Sequence, residues 1–332
     1  MENLVVKNAN KDFWRDRNVF VTGSTGLIGG WVVQNLLELN ANVITLVRDW
    51  IPGCLINRNQ LWNSINVVRG DICDMPLLER MIGEYEVETI LHLAAQTIVP
   101  IANRNPISTF ETNIAGTWRL LEAARRNSTV KQIVIASSDK AYGEVKELPY
   151  VESTPLNAQY PYDVSKSCTD LISRCYARTW NLPVVITRCG NFYGGGDLNW
   201  NRIVPGTIRS LLRNQSPIIR SNGKMIRDYI YAEDAVFAYF RLAEALSEKP
   251  EIAGHAFNFS NENPLSVVEM VEKISQVLGS SIKATTKGEA SYEIEKQFLD
   301  STKAKEILNW KPLYSMDEGL NRTVEWYRQY YS

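Results

Sequence analysis

Histidine is almost missing from this chain of 332 residues, which has only His92 and His255. Neither has a ligand-type partner at metal-binding spacing, so no metal centre is expected. Cysteine is also sparse: Cys54, Cys73, Cys168, Cys175 and Cys189 form no CxxC. Five thiols at irregular spacing fit reduced side chains in a reducing compartment better than a disulfide framework. No uncharged run approaches the ~20 residues a bilayer helix needs. The opening Met1-Glu2-Asn3-Leu4-Val5-Val6-Lys7 is polar, with no apolar leader core. An excess of one charge is absent too, with 36 Lys plus Arg against 37 Asp plus Glu and a net charge of -1. That balance gives no field for a polyanion and argues against nucleic acid as a partner. Repeats and low-complexity stretches are lacking, which excludes solenoids and linkers. What remains is a cytoplasmic protein, long enough for one large α/β domain carrying a smaller lobe.

The apolar runs supply the α/β rhythm. Strands are expected at 18–22, 42–47, 65–69, 89–93, 132–136 and 183–187, separated by helical or irregular stretches. Helices are expected over 30–39, 112–126 and 162–180. His92, inside Ile90-Leu91-His92-Leu93, reads as a strand residue bonded locally. The run Gly194-Gly195-Gly196-Asp197 marks the start of a second lobe before a helix-rich tail.

Gly23, Gly26 and Gly29 stand at GxxGxxG spacing between an apolar strand and a helix. Small residues there let backbone approach a pyrophosphate at a helix N-terminus. The loop Gly23, Thr25, Gly26, Leu27, Ile28, Gly29 is therefore read as the dinucleotide cradle. Past the second strand, Arg48 could neutralise a 2′-phosphate and Asp49 could read an unphosphorylated ribose. Arg48 comes first and no acid occupies Val47, so NADP is favoured over NAD, with a solvated Arg48 as the plain alternative. Asp71 and Ile72 are assigned to the adenine edge, unless Asp71 only caps a turn. Leu93, Ala94 and Ala95 are assigned to the cofactor face.

Tyr162 and Lys166 lie four apart on an expected helix and share a face. A phenol with an ordinary pKa of about 10 is a poor base, and a nearby Lys cation with oxidised nicotinamide would stabilise its phenolate. Ser138, just past a strand end, is placed to hold the same substrate hydroxyl. Beside it, Asp139-Lys140 points to a second chemical step, unless the pair is a solvated surface turn.

These residues resemble the extended short-chain dehydrogenase/reductases, specifically the nucleoside-diphosphate-sugar 4,6-dehydratases, over nearly the whole chain from Phe13-Trp14 to Trp310-Lys311-Pro312. Ser138-Asp139-Lys140 and Gly190-Asn191-Phe192-Tyr193-Gly194-Gly195-Gly196-Asp197 are similar to the CDP-glucose branch. The segments His92 to Gln96 and Thr112 to Thr117 also look like that family. The resemblance implies a Rossmann-type doubly wound parallel sheet at 1–190, with a returning segment near 228–262. It also implies a smaller nucleotide-sugar lobe within 191–332. It implies a tightly bound nicotinamide cofactor touched by Asn113, Tyr162 and Lys166. It further implies C4 oxidation by Tyr162 with Ser138 and Lys166, then loss of water between C5 and C6 through Lys140 as base and Asp139 as acid, and hydride return to C6. Gln96, Asn191, Arg202, Arg220 and Arg227 are the implied substrate contacts. Any one of those arginines could instead be solvated.

Ser24, where the CDP branch commonly has His, and Arg227-Asp228-Tyr229 depart from that branch and leave the base and hexose open. Helices carrying Ile114, Trp118, Leu121 and Tyr162 resemble those that pair in family homodimers, although burial within a monomer would leave the same stripe. An epimerase, decarboxylase or 4-reductase on the same scaffold is the rival enzyme. A dinucleotide sensor without catalysis is the rival of another class.

Overall fold

The computed structural model describes residues 3–288 and 294–332. Met1 and Glu2 of the polar opening lie outside the described residues. Seven parallel strands form one sheet in the order Ala256–Phe259, Val184–Cys189, Gln132–Ala136, Thr89–His92, Asn18–Thr22, Asn42–Val47, Asn66–Arg69. The order in which successive strands are added reverses between Asn18–Thr22 and Thr89–His92, which are parallel with Thr22 opposite His92. A crevice therefore opens beyond the strand C-terminal ends at that switch point.

Side-chain alternation divides the first strand between two apolar layers. Val19 and Val21 join Val32, Val33 and Leu36 of the Leu27–Glu38 helix, and Val236, Phe240 and Ala243 of Ala232–Glu248. Phe20 joins Leu78, Met81 and Ile82 of Met75–Glu84, with Leu120, Leu121 and Ala124 of Gly116–Arg125, on the other face. Burial on both faces is why the strands read as unbroken apolar runs.

Past Cys189 the chain alternates between two bodies. Asn191–Tyr193 pairs with Tyr229–Tyr231, and the chain then returns to the large sheet as Ala232–Glu248 and Ala256–Phe259. A separate core of Tyr193, Ile208, Tyr229, Met270, Ile274, Leu320 and Tyr327 binds the helices Ile203–Leu212, Val267–Leu278 and Met316–Tyr331. Ser266 and Ser315 start two of these helices as capping boxes with Glu269 and Glu318.

Two elements differ from the sequence expectation. The first long helix begins at Leu27, not Gly30, because Gly29 must pack in its first turn against the Gly23 backbone. The expected helix 112–126 opens as a π-helical segment, Glu111–Ala115, before Gly116–Arg125. Within that wide turn, Asn113 bonds outward to neighbouring elements.

Candidate active site

The glycine loop closes on itself through Gly26 N–H to Gly23 O at 3.0 Å. Gly23 has φ 71°, and a Cβ there would sit 2.8 Å from Ala94 N. At Gly29 an added Cβ would stand 2.1 Å from Gly23 O. The helix that follows has Gly26 as N-cap with no side-chain cap, leaving its first N–H groups open toward the crevice. A cavity of about 320 Å³ lies there, lined by Gly23, Thr25, Gly26, Leu27, Ile28 and Gly29. Arg48, Ile72 and the stretch Leu93, Ala94, Ala95 line it as well, and Tyr162 and Lys166 stand at its inner end. Backbone brought this close, with donors at a helix start, fits a dinucleotide pyrophosphate.

Thr22 is a part of the cradle that motif reading missed. Its Oγ1 accepts from Leu93 N and Ala94 N, both at 3.1 Å, and pairs with His92 Nδ1 at 2.8 Å. The strand expected over 89–93 ends at His92, whose Nε2 lies 3.2 Å from Thr117 Oγ1. Burial, with Lys166 nearby, pushes its pKa down to about 3. It is thus a neutral buried strut.

Tyr162 and Lys166 come from the helix Pro161–Trp180. That helix is clamped to the sheet by a buried bidentate pair, Arg188 Nε to Asp170 Oδ2 at 2.7 Å and Nη2 to Oδ1 at 2.8 Å. Arg188 also donates to Tyr142 Oη at 2.7 Å, and Ser167 Oγ donates to Ala141 O at 2.8 Å. The first contact ties the Val184–Cys189 strand, and the second the helix, to the short turn Asp139–Tyr142. Helix, strand and turn therefore hold one another in register.

Lys166 Nζ donates to Ala136 O at 2.7 Å, and burial lowers its pKa from 10.5 to about 8. Burial, with Asp139 and Asp163 adding charge, pushes the Tyr162 phenol well above its ordinary range. Arg202 and a hydrogen bond with Ser138 oppose that rise. Arg202 also donates to Asp197 Oδ2 and Thr97 Oγ1, each at 3.1 Å, on the crevice wall.

Ser138 caps the turn, donating to Asp139 Oδ1 at 2.8 Å and accepting from Lys140 N at 3.2 Å. Asp139 is 2 % exposed. Burial raises its pKa; Lys140, Ser138 and Arg227 pull it back. Lys140 is partly buried, and its Nζ donates to Gln297 Oε1 at 2.7 Å. The pair is thus turned inward and is no solvated surface turn. Neither Gln297 nor the nearby Asp228 was singled out from the sequence. Asp228 is buried at 1 % exposure, and its Oδ2 accepts from Ser260 Oγ and from Leu299 N at 3.1 Å. Burial raises the Asp228 pKa to about 7, with Asp139 adding to the rise.

The other expected contacts fall outside the cavity lining. Asp71 caps its own turn, accepting from Cys73 N at 2.8 Å, the plainer of its two readings. Asn113 binds Gln96 through its main chain (N to Oδ1 2.7 Å, Nδ2 to O 3.1 Å) and donates to Ser165 Oγ at 2.9 Å. It thereby braces the loop after the fourth strand against the catalytic helix. The Gln96 side chain accepts from Ile98 N at 3.0 Å. Asn191 donates its N–H to Asp228 O at 2.8 Å. Arg220 bonds Asn201 at the surface, whereas Arg227 is 5 % exposed and donates to Ile226 O at 2.9 Å and Glu295 O at 3.2 Å. Among the described residues no group of His, Cys, Asp and Glu is arranged to hold a metal ion, and no helix is long and apolar enough to cross a membrane.

The same architecture recurs in known proteins. The chain is 31 % identical over 336 residues to a CDP-glucose 4,6-dehydratase of Salmonella typhimurium, covering 96 % of this chain and 92 % of that protein. A dTDP-glucose 4,6-dehydratase from Bacillus anthracis, solved in complex with NAD, superposes with a TM-score of 0.83 at 28 % identity, covering 94 % of this chain and 97 % of that one. A UDP-glucose 4-epimerase from Thermotoga maritima, solved with UDP-glucose, gives a TM-score of 0.86 at 29 % identity over 95 % of this chain and 100 % of that one. The GDP-mannose 4,6 dehydratase family model matches residues 20–323. With that match spanning both the glycine cradle and the Tyr162 helix, the chain belongs to the GDP-mannose 4,6 dehydratase family.

Proposed function

We propose that this chain is a nucleoside-diphosphate-hexose 4,6-dehydratase that holds its nicotinamide dinucleotide between turnovers and makes a 4-keto-6-deoxy nucleotide sugar. One observation carries the reading: Asp139 is buried and bonded to Ser138, which also bonds Tyr162, with Lys140 turned inward beside it. A scaffold that only oxidises C4 has no use for a buried acid and amine at that point.

A bound nicotinamide dinucleotide would supply the acceptor for the C4 hydride and its later donor to C6. The glycine loop would hold its pyrophosphate, Ile72 its adenine edge, and Leu93 to Ala95 its face. Tyr162, as the phenolate that Lys166 and a bound oxidised nicotinamide would stabilise, accepts the proton of the C4 hydroxyl while Ser138 Oγ orients that hydroxyl. Lys166 lends positive charge near the phenol from its anchor on Ala136 O. The resulting ketone acidifies C5, whose proton passes to Lys140 Nζ. Asp139, whose pKa burial raises, gives its proton to the C6 hydroxyl as water leaves, and Lys140 gives its proton back to C5 when hydride reaches C6. Arg202 on the crevice wall is the cation best placed for the diphosphate. The lobe formed by most of 191–332 closes over the sugar.

The sequence favoured NADP through Arg48. Its guanidinium is engaged, however, with Nε 2.8 Å from Asp49 Oδ2 and Nη1 3.9 Å from Asp71 Oδ2. A 2′-phosphate would meet two carboxylates there, so the pairing supports NAD, with Asp49 accepting from the ribose. Mass analysis of cofactor released by denaturing the purified protein is expected to find NAD; NADP would reverse this choice.

CDP-hexoses are the first substrates to try, given the Ser-Asp-Lys triplet and the Salmonella relative. Incubation with CDP-, GDP-, UDP- and dTDP-hexoses should yield loss of water from at least one. Inversion at C4 with no loss of water would favour the epimerase reading instead. A cytoplasmic location is supported by five cysteines without disulfides. Of the stripe expected to pair, Leu121 is buried in the core of the chain itself, so a homodimer is supported only by exposed Trp118 with Ile107 and Leu171 on neighbouring helices, and light scattering showing a monomer at micromolar concentration would reject it.

A further inference from the structure

The corner that holds Asp139 and Lys140 includes a residue from far along the chain. The segment around 294–300 runs between Ile226 and Tyr150. Ile226 N donates to Glu295 O at 3.0 Å, Gln297 N to Ile226 O at 3.1 Å, and Tyr150 N to Phe298 O at 3.0 Å. Two residues on, Leu299 N donates to Asp228 Oδ2 at 3.1 Å. Backbone bonds on both sides thus fix Gln297, whose residue is 0 % exposed. Its Oε1 accepts from Lys140 Nζ at 2.7 Å across 157 positions of sequence. Its Nε2 is buried, and a hydrogen bond with the Gln297 side chain opposes the burial-driven rise of the Tyr150 pKa.

We infer that Gln297 is a positioning residue for Lys140: its amide oxygen fixes the amine by a hydrogen bond while adding no charge. The inference rests on the dehydratase reading, in which Lys140 removes the C5 proton. A base must spend part of each cycle as a neutral amine. An –NH₂ group keeps two N–H donors, so it can hold Gln297 Oε1 while its lone pair faces C5. Once protonated it keeps the same bond, and the amine need not move between steps. A carboxylate at that distance would favour the ammonium form and suppress the base. An apolar side chain would let the amine swing. A neutral acceptor alone holds the amine and leaves its proton exchangeable. The charged and titratable groups around the corner are Asp139 on the same turn, Tyr162 on the catalytic helix and Tyr150 on the next loop. Cys189 at the end of its strand, Arg227 and Asp228 face it as well, with Asp163 beside Tyr150 and Tyr162, Arg202 beside Tyr162 and Glu262 beside Asp228 among the described residues.

The test uses the full-length, cofactor-loaded protein and a nucleotide hexose that the parent dehydrates. Gln297→Glu and Gln297→Met are compared with the parent for kcat and KM across pH, for C5 proton exchange in D₂O, and for C4 oxidation read as reduced cofactor. For Gln297→Glu, the rise of kcat with pH should move up by about one pH unit or more, with kcat at neutral pH falling about tenfold. For Gln297→Met, close to Gln in volume, kcat and C5 exchange should both fall about tenfold, with C4 oxidation and cofactor content at parent levels and no upward shift of the profile. Parent-like kcat and pH profiles in loaded, folded variants would overturn the inference. So would equal losses in C4 oxidation and C5 exchange, which would mark a merely structural role. If Gln297→Glu does not fold, Gln297→Met decides alone. If the parent dehydrates no nucleotide hexose, the dehydratase reading fails first, in the control, and this inference falls with it.

Discussion

The glycine cradle and the Asp139 corner are built in opposite ways. The cradle is made of consecutive residues, and its selectivity lies in what is missing: no Cβ fits at Gly23 or Gly29. The corner is made of side chains drawn from a turn, a helix and two segments of the C-terminal part, held by buried polar contacts. A backbone site needs only space and helix N–H groups, so it serves any dinucleotide enzyme of this fold. A site of buried ionisable groups is specific to one sequence of proton transfers, because each pKa depends on its neighbours. Members of one architecture can therefore share the cradle while differing in chemistry, as the dehydratase and epimerase relatives do.

Variants at the two places should separate accordingly. The largest effect is expected from Tyr162→Phe, which removes the C4 base of the proposed mechanism: kcat should fall by about three to four orders of magnitude with bound cofactor unchanged. Asp139→Asn keeps shape and loses only the acidic proton. Its turnover should fall by about two to three orders, with reduced cofactor accumulating because oxidation proceeds and elimination does not. Equal loss of both half-reactions in that variant would dissolve the distinction between the two regions.

Gly29→Ala should act on the cradle alone. Its Cβ would meet Gly23 O at 2.1 Å, so the loop must shift, and cofactor content should drop at least about tenfold with stability lost by roughly 1–3 kcal/mol. Gly26→Ala, whose Cβ would lie 3.2 Å from the same oxygen, should be milder. The smallest effect concerns stability at the junction of the two regions. Because burial lowers Lys166 to about 8, the folded state bears a buried cation at neutral pH that the unfolded chain would solvate. The penalty is present below about 8 and fades as pH rises toward 10.5. Lys166→Met should therefore gain ~2 kcal/mol at neutral pH, after allowing for the lost bond to Ala136 O. That gain should vanish above the unfolded pKa, as thermal unfolding across pH would report, even as turnover is lost.

The contrast also explains what could be read from the sequence. GxxGxxG between a strand and a helix, and Tyr162 four residues before Lys166, are local patterns with fixed geometry, and the parallel sheet announced itself in apolar runs buried on both faces. The Lys166 anchor on Ala136 O, the bracing role of Asn113 and the π-helical turn that carries it depend on tertiary contacts that spacing does not encode. Asp139 was legible as a residue, and its burial was not. Gln297 gave no signal at all, since a glutamine in a C-terminal segment, 157 positions from Lys140, meets it only once the chain between them has folded.

The most direct test follows a deuterium placed on C4 of a nucleotide hexose that the protein accepts. The expected product has lost water and carries the label on C6, without added cofactor. Label remaining at C4 with inverted configuration, or label lost to free cofactor, would contradict an internal oxidation, elimination and return.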